Sequence, residues 1–312
     1  MVTNNDRKKI VVLANASYAW FFDACKTYND LSFAINSAYP FNSPSFLARI
    51  ISKIIYILAP PAYISFFWRV PRKTIEKCSC IIMPDSVPCS KFFLRRFKKH
   101  FSDKRLIVYY LNTIKNRKSY EYFKKINIEQ WSFDKKDSLE YGLRYNKTFI
   151  MATTPIIPNV KITTDVFFIG IPKDRAEKIK KIEKILEKLN ISMDIRILEE
   201  RSEYIPYKYV CELVQKSLAI LDVVIDGQEG STQREMEALH YKKKLISTNE
   251  NVKTRDYYNE NNIYYLDLSK QEHNDLYDFL RKPFQEIDKN IYESYSYYAW
   301  INRFFKEAED SL

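Results

Sequence analysis

The sequence predicts an α/β protein of two domains, each built around a parallel sheet. Short apolar runs rich in β-branched residues alternate with amphipathic helical segments along the 312 residues, and this alternation is typical of parallel sheets covered by helices. The chain is also long enough to bury two cores. The pattern is clearest at 218–248, where an apolar run, a glycine-containing loop, a helix and a second apolar run follow one another.

The first half carries four predicted strands. The apolar run at 10–14 follows a basic pair, but five residues are too few for the apolar part of a signal peptide, so we interpret it as the first strand of a sheet. The strands are predicted near 9–14, 79–83, 105–110 and 128–132.

Two aromatic and basic segments in this half resemble membrane-surface anchors. Within 46–73, a predicted amphipathic helix at 46–58 is followed by Phe66, Phe67 and Trp68 next to arginines, as in interfacial anchors. Two prolines, at 60 and 61, interrupt the uncharged run, so no spanning helix is expected.

The second anchor candidate is the segment 91–101, which places Phe93, Phe97 and Phe101 at helical spacing. Two interpretations remain open for this stripe. It either packs on the core with its basic side in solvent or lies on a membrane.

Charge is distributed unevenly between the two halves. Residues 1–150 contain 26 Lys and Arg against 11 Asp and Glu, whereas residues 151–312 contain 24 against 28. The basic half is therefore expected to face an anionic partner, either a membrane surface or nucleic acid. Because the sequence shows no helix-turn-helix, zinc-finger or RNP-like motif, we expect no nucleic acid. The five cysteines lack zinc spacing and are interpreted as reduced thiols of a cytosolic protein.

A proline-containing connection at 142–163 precedes the second half. The predicted domains are 1–150, 160–285 and a C-terminal helical segment, 286–312. The second half is predicted to contain strands at 165–169, 193–198, 219–225, 244–248 and 263–266, with helices at 173–189, 206–217, 231–240 and 273–281.

Glycines mark the expected ligand site. The chain has four glycines, and Gly227 and Gly230 lie in the loop after 218–225, while Gly170 ends the run 165–169. Glycine permits close approach of a backbone to a ligand, and a helix N-terminus after such a loop attracts anions. We expect a phosphate-binding cleft here. The alternative is that tight strand-to-helix turns require glycine for their own conformation.

The spacing of two glutamates in this region resembles a known family. Glu229 and Glu237 are separated by seven residues in LDVVIDGQEGSTQREMEALHYKKKLISTN, which resembles the donor-side domain of bacterial lipopolysaccharide and capsule glycosyltransferases of the GT-B class. DVFFIG and WSFDKKDSLEYGLRYN add to this resemblance, which covers roughly 128–305. It implies a GT-B fold, with two Rossmann-like domains facing each other across a cleft and a C-terminal helix crossing back to the first domain.

The resemblance assigns roles to the two glutamates. It implies that Glu237 holds the ribose hydroxyls of a nucleotide and that Glu229 approaches the sugar. The Gly-Phe-Gly that usually follows the first glutamate is replaced here by Gly230, Ser231 and Thr232, whose backbone N–H groups suit the phosphates.

Three further residues complete the expected donor site. Gly170 lies at the neighbouring turn, and Arg175 and Arg234 are the expected cations, although Arg234 could instead pair with Glu235 or Glu237. Thr232 and Glu235 have the spacing of a capping box for the helix that follows.

The catalytic base depends on the stereochemistry of the reaction. If the reaction inverts the anomeric configuration, Asp85, which follows the strand at 79–83, is the expected base, with Asp23 as the next candidate. Retention would require no dedicated base. The buried-strand residue Asp222 is expected to be structural. A DxD motif is absent from the sequence, so metal independence is expected.

Taken together, these features predict a metal-independent glycosyltransferase. It would transfer a sugar from a nucleotide sugar, with UDP as the expected nucleotide and no other cofactor, to a lipid-linked, lipopolysaccharide or capsule glycan. It would work as a cytoplasmic, peripheral protein on the inner face of the cell membrane. A nucleotide-sugar 2-epimerase and a non-enzymatic membrane- or nucleic-acid-binding protein are the alternatives.

Overall fold

The structure is a computed structural model, and it describes residues 10–15, 22, 31–36, 45–85, 91–114, 117–199 and 205–305. The chain divides into two units, Met1–Tyr145 and Asn146–Leu312. The division lies inside the connection expected at 142–163, and it assigns residues 146–150 to the second unit. Cys25 and Cys89 lie outside the described residues, and Cys78, Cys80 and Cys211 are buried free thiols.

The first unit contains a six-stranded parallel sheet with the order β2-β1-β3-β4-β5-β6. Its strands are β1 (Ile10–Asn15), β2 (Leu31–Asn36), β3 (Cys80–Pro84), β4 (Arg105–Tyr110), β5 (Glu129–Ser132) and β6 (Arg144–Tyr145). The order reverses between β1 and β3, as in doubly wound folds. The sequence did not predict β2 or the two-residue β6.

Six helices belong to this unit: α1 (Phe46–Leu58), α2 (Pro60–Phe67), α3 (Arg72–Lys77), α4 (Lys91–His100), α5 (Arg117–Lys125) and α6 (Lys135–Tyr141). The predicted helix at 46–58 is confirmed. The chain turns at Ala59, and α2 begins with two prolines, which are tolerated in a first helical turn because no N–H is needed there. In the described residues, no helix is both long enough and apolar enough to cross a bilayer.

Most of the aromatic stripe in α4 belongs to the core of the first unit. Leu94, Phe97 and Phe101 are 1–3% exposed and pack with residues of β3 and β4. The membrane interpretation of 91–101 is therefore wrong for these side chains, because they are already covered by the sheet. The side chain of Phe93 lies outside the described residues.

Trp68 is also a core residue rather than an anchor. It is 2% exposed, whereas Phe66 on the preceding helix is 70% exposed. Of the three aromatic residues at 66–68, only Phe66 is exposed enough to contact a membrane.

The second unit contains a five-stranded parallel sheet with the order β11-β10-β9-β7-β8. Its strands are β7 (Thr164–Gly170), β8 (Met193–Ile197), β9 (Ser217–Asp222), β10 (Lys244–Ser247) and β11 (Ile263–Tyr265). The helices are α7 (Ala176–Lys188), α8 (Tyr207–Gln215), α9 (Gln233–Tyr241), α10 (Asp275–Arg281), α11 (Lys289–Ser294) and α12 (Tyr297–Arg303). One apolar core lies on each face of this sheet.

Two predicted boundaries in this unit are wrong by several residues. The strand predicted at 219–225 is β9, which begins at Ser217 and ends at Asp222, so the last three apolar residues of the predicted strand lie in the loop. The helix predicted at 173–189 begins as a 3-10 turn, Lys173–Arg175, and becomes α-helical at Ala176.

The last helix, α12, packs on the first residues of its own unit. The Asn146 amide donates to the Trp300 carbonyl at 3.0 Å, and Arg303 Nε donates to Asn146 Oδ1 at 2.6 Å. The buried ring of Phe149 lies against Tyr297 and Trp300. These contacts join the beginning and the end of the second unit.

Each unit is thus a Rossmann-like α/β fold with a doubly wound parallel sheet. Two such units in one chain are the components of the GT-B class that the sequence resembles.

Candidate functional site

The candidate site lies at the carboxyl ends of β7 and β9. The chain leaves β7 toward β8 on one side, and β9 pairs with β7 on the other. In doubly wound sheets a crevice opens where the strand order reverses, and ligands bind there. Gly170 ends β7 and Asp222 ends β9, so the two loops that carry most of the predicted donor-site residues meet at this edge.

The helix that follows the β9 loop begins with the predicted capping box. Thr232 Oγ1 accepts from the Glu235 N–H at 3.2 Å, and Glu235 Oε1 accepts from the Thr232 N–H at 3.1 Å. The capping box is therefore confirmed. Because the Thr232 N–H already donates to Glu235, it can donate to a phosphate only if that hydrogen bond breaks.

Glu235 also anchors the loop through residues far along the chain. Its Oε2 accepts from Arg255 Nε at 3.1 Å and from the Tyr257 hydroxyl. Arg255 Nη2 donates to the Glu229 carbonyl at 2.5 Å, and the hydroxyls of Ser231 and Tyr257 are 3.2 Å apart. The carboxylate, the guanidinium and the tyrosine thus hold the loop from Glu229 to Ser231 against the start of α9.

Arg175 connects the two loops. Its guanidinium donates to the carbonyls of Ile171 at 2.7 Å, Pro172 at 3.3 Å and Val223 at 2.6 Å. Burial, and the positive charge of Arg234, lower the pKa of Arg175, although an arginine remains charged at neutral pH. Arg175 therefore contributes positive charge at this edge, while three of its N–H groups are directed at the protein.

Arg234 lies in the first turn of α9 and crosses to the end of β7. Its Nη2 donates to the Ile169 carbonyl, and its guanidinium lies 4.9 Å from the centre of the Phe168 ring. A β-carbon at Gly170 would be 2.9 Å from Arg234 Nη2. A side chain at position 170 would therefore displace the guanidinium from its present place. Gly227, with φ of 80°, has a left-handed backbone that favours glycine.

Two buried carboxyl groups lie beside these arginines. Glu237, in the second turn of α9, is 5% exposed, and burial raises its pKa to about 7 against the opposing effects of the Arg234 charge and of hydrogen bonds with Tyr207 and Gln233. Asp222 accepts from the Ser247 hydroxyl at 2.9 Å, and burial followed by the Glu235 charge raises its pKa. Asp222 Oδ1 has no hydrogen-bond partner among the described residues.

Two arginines and three buried carboxyl groups determine the charge at this edge. Glu235 is paired with Arg255, and the raised pKa values shift Asp222 and Glu237 toward their neutral forms. Arg175 and Arg234 remain positive. These two half-buried positive charges favour an anionic ligand to the extent that the neighbouring carboxyl groups are protonated.

Nine donor-site and catalytic residues were predicted. The structure places seven of them between the ends of β7 and β9 and the first turn of α9: Gly170, Arg175, Glu229, Gly230, Ser231, Thr232 and Arg234. Glu237 follows one turn further along α9. Asp85 belongs to the first unit, where it follows β3. Its N–H donates to the Tyr109 carbonyl at 3.0 Å, and its Oδ1 accepts from the Leu111 N–H at 2.9 Å. Asp23 lies outside the described residues.

Sequence reasoning missed Tyr207, Gln233, Arg255 and Tyr257. Gln233 Nε2 donates to the Tyr207 hydroxyl at 2.8 Å, and both side chains hydrogen-bond with Glu237. Gln233 directly precedes Arg234, so its place beside the predicted site was a usable signal. Nothing in the sequence connects Arg255 to Glu235, because the pair is formed by the fold across 20 residues.

No group of three or more His, Cys, Asp and Glu side chains in the described part of the chain could hold a metal ion.

Comparisons with known proteins return structures but no sequence relatives. No family model matches the chain, and no curated protein matches it. It is similar to a UDP-N-acetylglucosamine 2-epimerase, with 10% identity, coverage of 96% of this chain and 95% of the other, and a TM-score of 0.47. An α1,3-fucosyltransferase shares 8% identity over 97% of this chain and 91% of its own, with a TM-score of 0.49.

A third similar structure is Anabaena Alr3699/HepE in complex with UDP, with 9% identity, coverage of 97% and 100%, and a TM-score of 0.46. These likenesses span both units of the chain. All three TM-scores are below 0.5, so these likenesses assign no function to the chain.

Proposed function

We propose that the protein is a glycosyltransferase that takes a sugar from a nucleotide sugar, with UDP as the expected nucleotide. The observation that carries the proposal is the placement of Arg175 and Arg234 between the ends of β7 and β9, beside the buried Glu237. This edge offers positive charge to a diphosphate and a carboxyl group to the hydroxyls of a ribose.

Each part of a nucleotide sugar has a proposed partner at this edge. The diphosphate lies near Arg234 and the N-terminal end of α9, where the helix dipole favours an anion. Glu237 accepts hydrogen bonds from the ribose, and Gln233, whose Oε1 has no partner among the described residues, is placed to join it. Glu229 extends from the loop toward the sugar.

The reaction joins an acceptor oxygen to the anomeric carbon and breaks the bond from that carbon to the diphosphate oxygen. The leaving diphosphate carries away the bonding electrons, and Arg175 and Arg234 stabilise its charge. In an inverting reaction the proton of the acceptor hydroxyl passes to a base, for which we propose Asp85, held by the Leu111 N–H. The mechanism uses no metal.

We further propose a lipid-linked or lipopolysaccharide or capsule glycan as acceptor, and a peripheral location on the inner face of the cell membrane. The basic character of the first 150 residues and the exposed apolar face of α1 support this part of the proposal. The nucleotide-sugar site by itself would also serve a 2-epimerase, which has no need of a lipid-linked acceptor.

A thermal-shift screen of the whole protein against UDP, GDP, CMP and their sugars, with and without EDTA, tests the nucleotide site. A ligand at about 100 times its Kd stabilises the folded state by about 2.7 kcal/mol. We expect a shift with one nucleotide family that is unchanged by EDTA and reduced in Arg234→Gln. The absence of any shift would refute the nucleotide site.

Product analysis then separates the two enzymatic readings. A transferase releases the free nucleoside diphosphate when a glycolipid acceptor is present, whereas a 2-epimerase returns an isomeric nucleotide sugar without requiring an acceptor. Neither product would indicate a binding protein.

A further inference from the structure

Helix α1 presents its apolar residues outward. Among the side chains of α1 that the structure describes, those facing the first unit are Ala48, Ser52 and Ile55. Ser52 is 3% exposed and donates to the Ala48 carbonyl at 2.7 Å, while Ile55 packs on the core. Seven other large apolar residues of this helix are exposed by 38–75%: Phe46, Leu47, Ile50, Ile51, Ile54, Ile57 and Leu58. A surface helix of a soluble domain has the opposite arrangement, with its apolar face toward the core.

The outward residues form one continuous surface. Successive residues of an α-helix are rotated by about 100° around its axis, so the seven exposed residues lie within an arc of roughly 140°. The inner residues lie in a separate arc. Single exposed apolar side chains are common, but seven on one helix form a patch of the kind that marks an interaction site. The patch therefore requires a cover in the working protein.

The charges of α1 indicate which cover fits. Its only charged residues are Arg49 and Lys53, both exposed and both at one edge of the apolar arc. Arg96, from α4, donates to the Ile57 carbonyl at the other end of the helix. The helix contains no acidic residue. An apolar arc with cations at its border is typical of helices that lie in a bilayer interface.

We propose that α1 lies in the surface plane of an anionic lipid bilayer, with its apolar arc among the acyl chains and Arg49 and Lys53 among the headgroups. A second copy of the chain would oppose like charges, because each copy carries the same cations and a basic first half. An anionic membrane complements them. This inference deepens the proposed function by naming the surface on which a lipid-linked acceptor is met.

Flotation of the full-length protein with vesicles tests the inference without any nucleotide. The two vesicle types are phosphatidylcholine alone and phosphatidylcholine mixed with phosphatidylglycerol. We expect stronger binding to the anionic vesicles, weakened by high salt because salt screens the contribution of the cations.

Three variants identify the surface responsible. Ile51→Ser with Ile54→Ser should lower the partition coefficient at least about a hundredfold, because two apolar side chains no longer enter the acyl region. Arg49→Gln with Lys53→Gln should lower it by about fivefold for each cation, and only on anionic vesicles. The control is Leu139→Ser, which removes an apolar residue of α6 that is more exposed (79%) than Ile51 (51%) and Ile54 (48%) and should not change binding.

The outcomes separate this inference from its rivals. Binding of the isoleucine variant at the level of the unmodified protein, or no vesicle binding at all, would overturn it. A dimer in sedimentation that the isoleucine variant abolishes, without vesicle binding, would assign the patch to a second copy. A lack of nucleotide binding would refute the proposed function while leaving the vesicle result unaffected.

Discussion

The variant Glu237→Gln measures how a buried, ionisable carboxyl group at the candidate site changes the free energy of unfolding with pH. In the folded protein the pKa of Glu237 is raised from 4.5 to about 7, chiefly by burial. The amide has nearly the shape of the protonated carboxyl and does not titrate. The difference between the two proteins therefore reports the cost of ionising Glu237.

The sign of the effect follows from proton linkage. Between pH 4.5 and about pH 7 the folded state holds a proton on Glu237 that the unfolded state has lost, so the free energy of unfolding decreases as the pH rises. The interval of about 2.5 pH units, at about 1.4 kcal/mol per unit, corresponds to about 3 kcal/mol. Relative to Glu237→Gln, the unmodified protein should lose this amount between pH 4.5 and about pH 8.

Urea unfolding of both proteins across this pH range, followed by a signal from the second unit, measures the difference. Glu187→Gln is the matched control, since Glu187 is an exposed glutamate on α7 of the same unit, and we expect its profile to run parallel to that of the unmodified protein. Parallel profiles for Glu237→Gln as well would show that Glu237 ionises without cost, so that its negative charge would compensate a guanidinium at this edge.

Four further outcomes are expected. Arg234→Gln should weaken binding of a nucleoside diphosphate by about tenfold or more and leave a plain nucleoside unaffected, as titration calorimetry would show, because a charge-assisted contact is lost. Gly170→Ala places a β-carbon 2.9 Å from Arg234 Nη2 and should lower the same affinity. Gly142→Ala should instead lower the free energy of unfolding by about 1 kcal/mol with affinity unchanged, because Gly142 has φ of 64° and open space around it. Phe97→Ala should lower it by about 3–5 kcal/mol, whereas Phe66→Ala should change it by less than about 0.5 kcal/mol. Equal stability losses for the two phenylalanine variants would contradict the burial that distinguishes them.

The strands were the part of the fold best predicted from sequence. The run at 106–110 is continuous and apolar because a central parallel strand is covered on both faces, and the predicted strand, 105–110, matches the residues of β4. By contrast, α5 consists largely of charged and aromatic residues without a clear start signal. Local pattern alone did not reveal it.

Helices α1 and α4 show a second limit of sequence reasoning. Both have a strong helical periodicity of apolar residues, yet the apolar side of α4 is buried and that of α1 is exposed. Periodicity determines which residues share a face. Which of these faces packs on the sheet depends on tertiary contacts with residues throughout the unit.

The site was predictable where its contacts are local. The capping box joins residues three apart, and the spacing of Thr232 and Glu235 predicted it. The contact of Arg175 with Val223 joins residues 48 apart, and that of Arg234 with Ile169 joins residues 65 apart. These contacts show that both guanidinium groups are already held by backbone carbonyls, which no spacing rule indicates. The roles of these residues toward a nucleotide stay predictions.

The pairing of Asn146 with Trp300 and Arg303 has a consequence for the modularity of the protein. Because Asn146, at the start of the second unit, contacts Trp300 and Arg303 of α12, the two ends of the described part of this unit lie close together. A unit of this kind can be exchanged between proteins, or have its ends joined and reopened elsewhere, without rerouting its sheet. A fragment of this unit that is moved to another protein should therefore run from Asn146 to at least Arg303. A fragment that ends before α12 would expose Phe149 and lose the hydrogen bonds of Asn146 with Trp300 and Arg303.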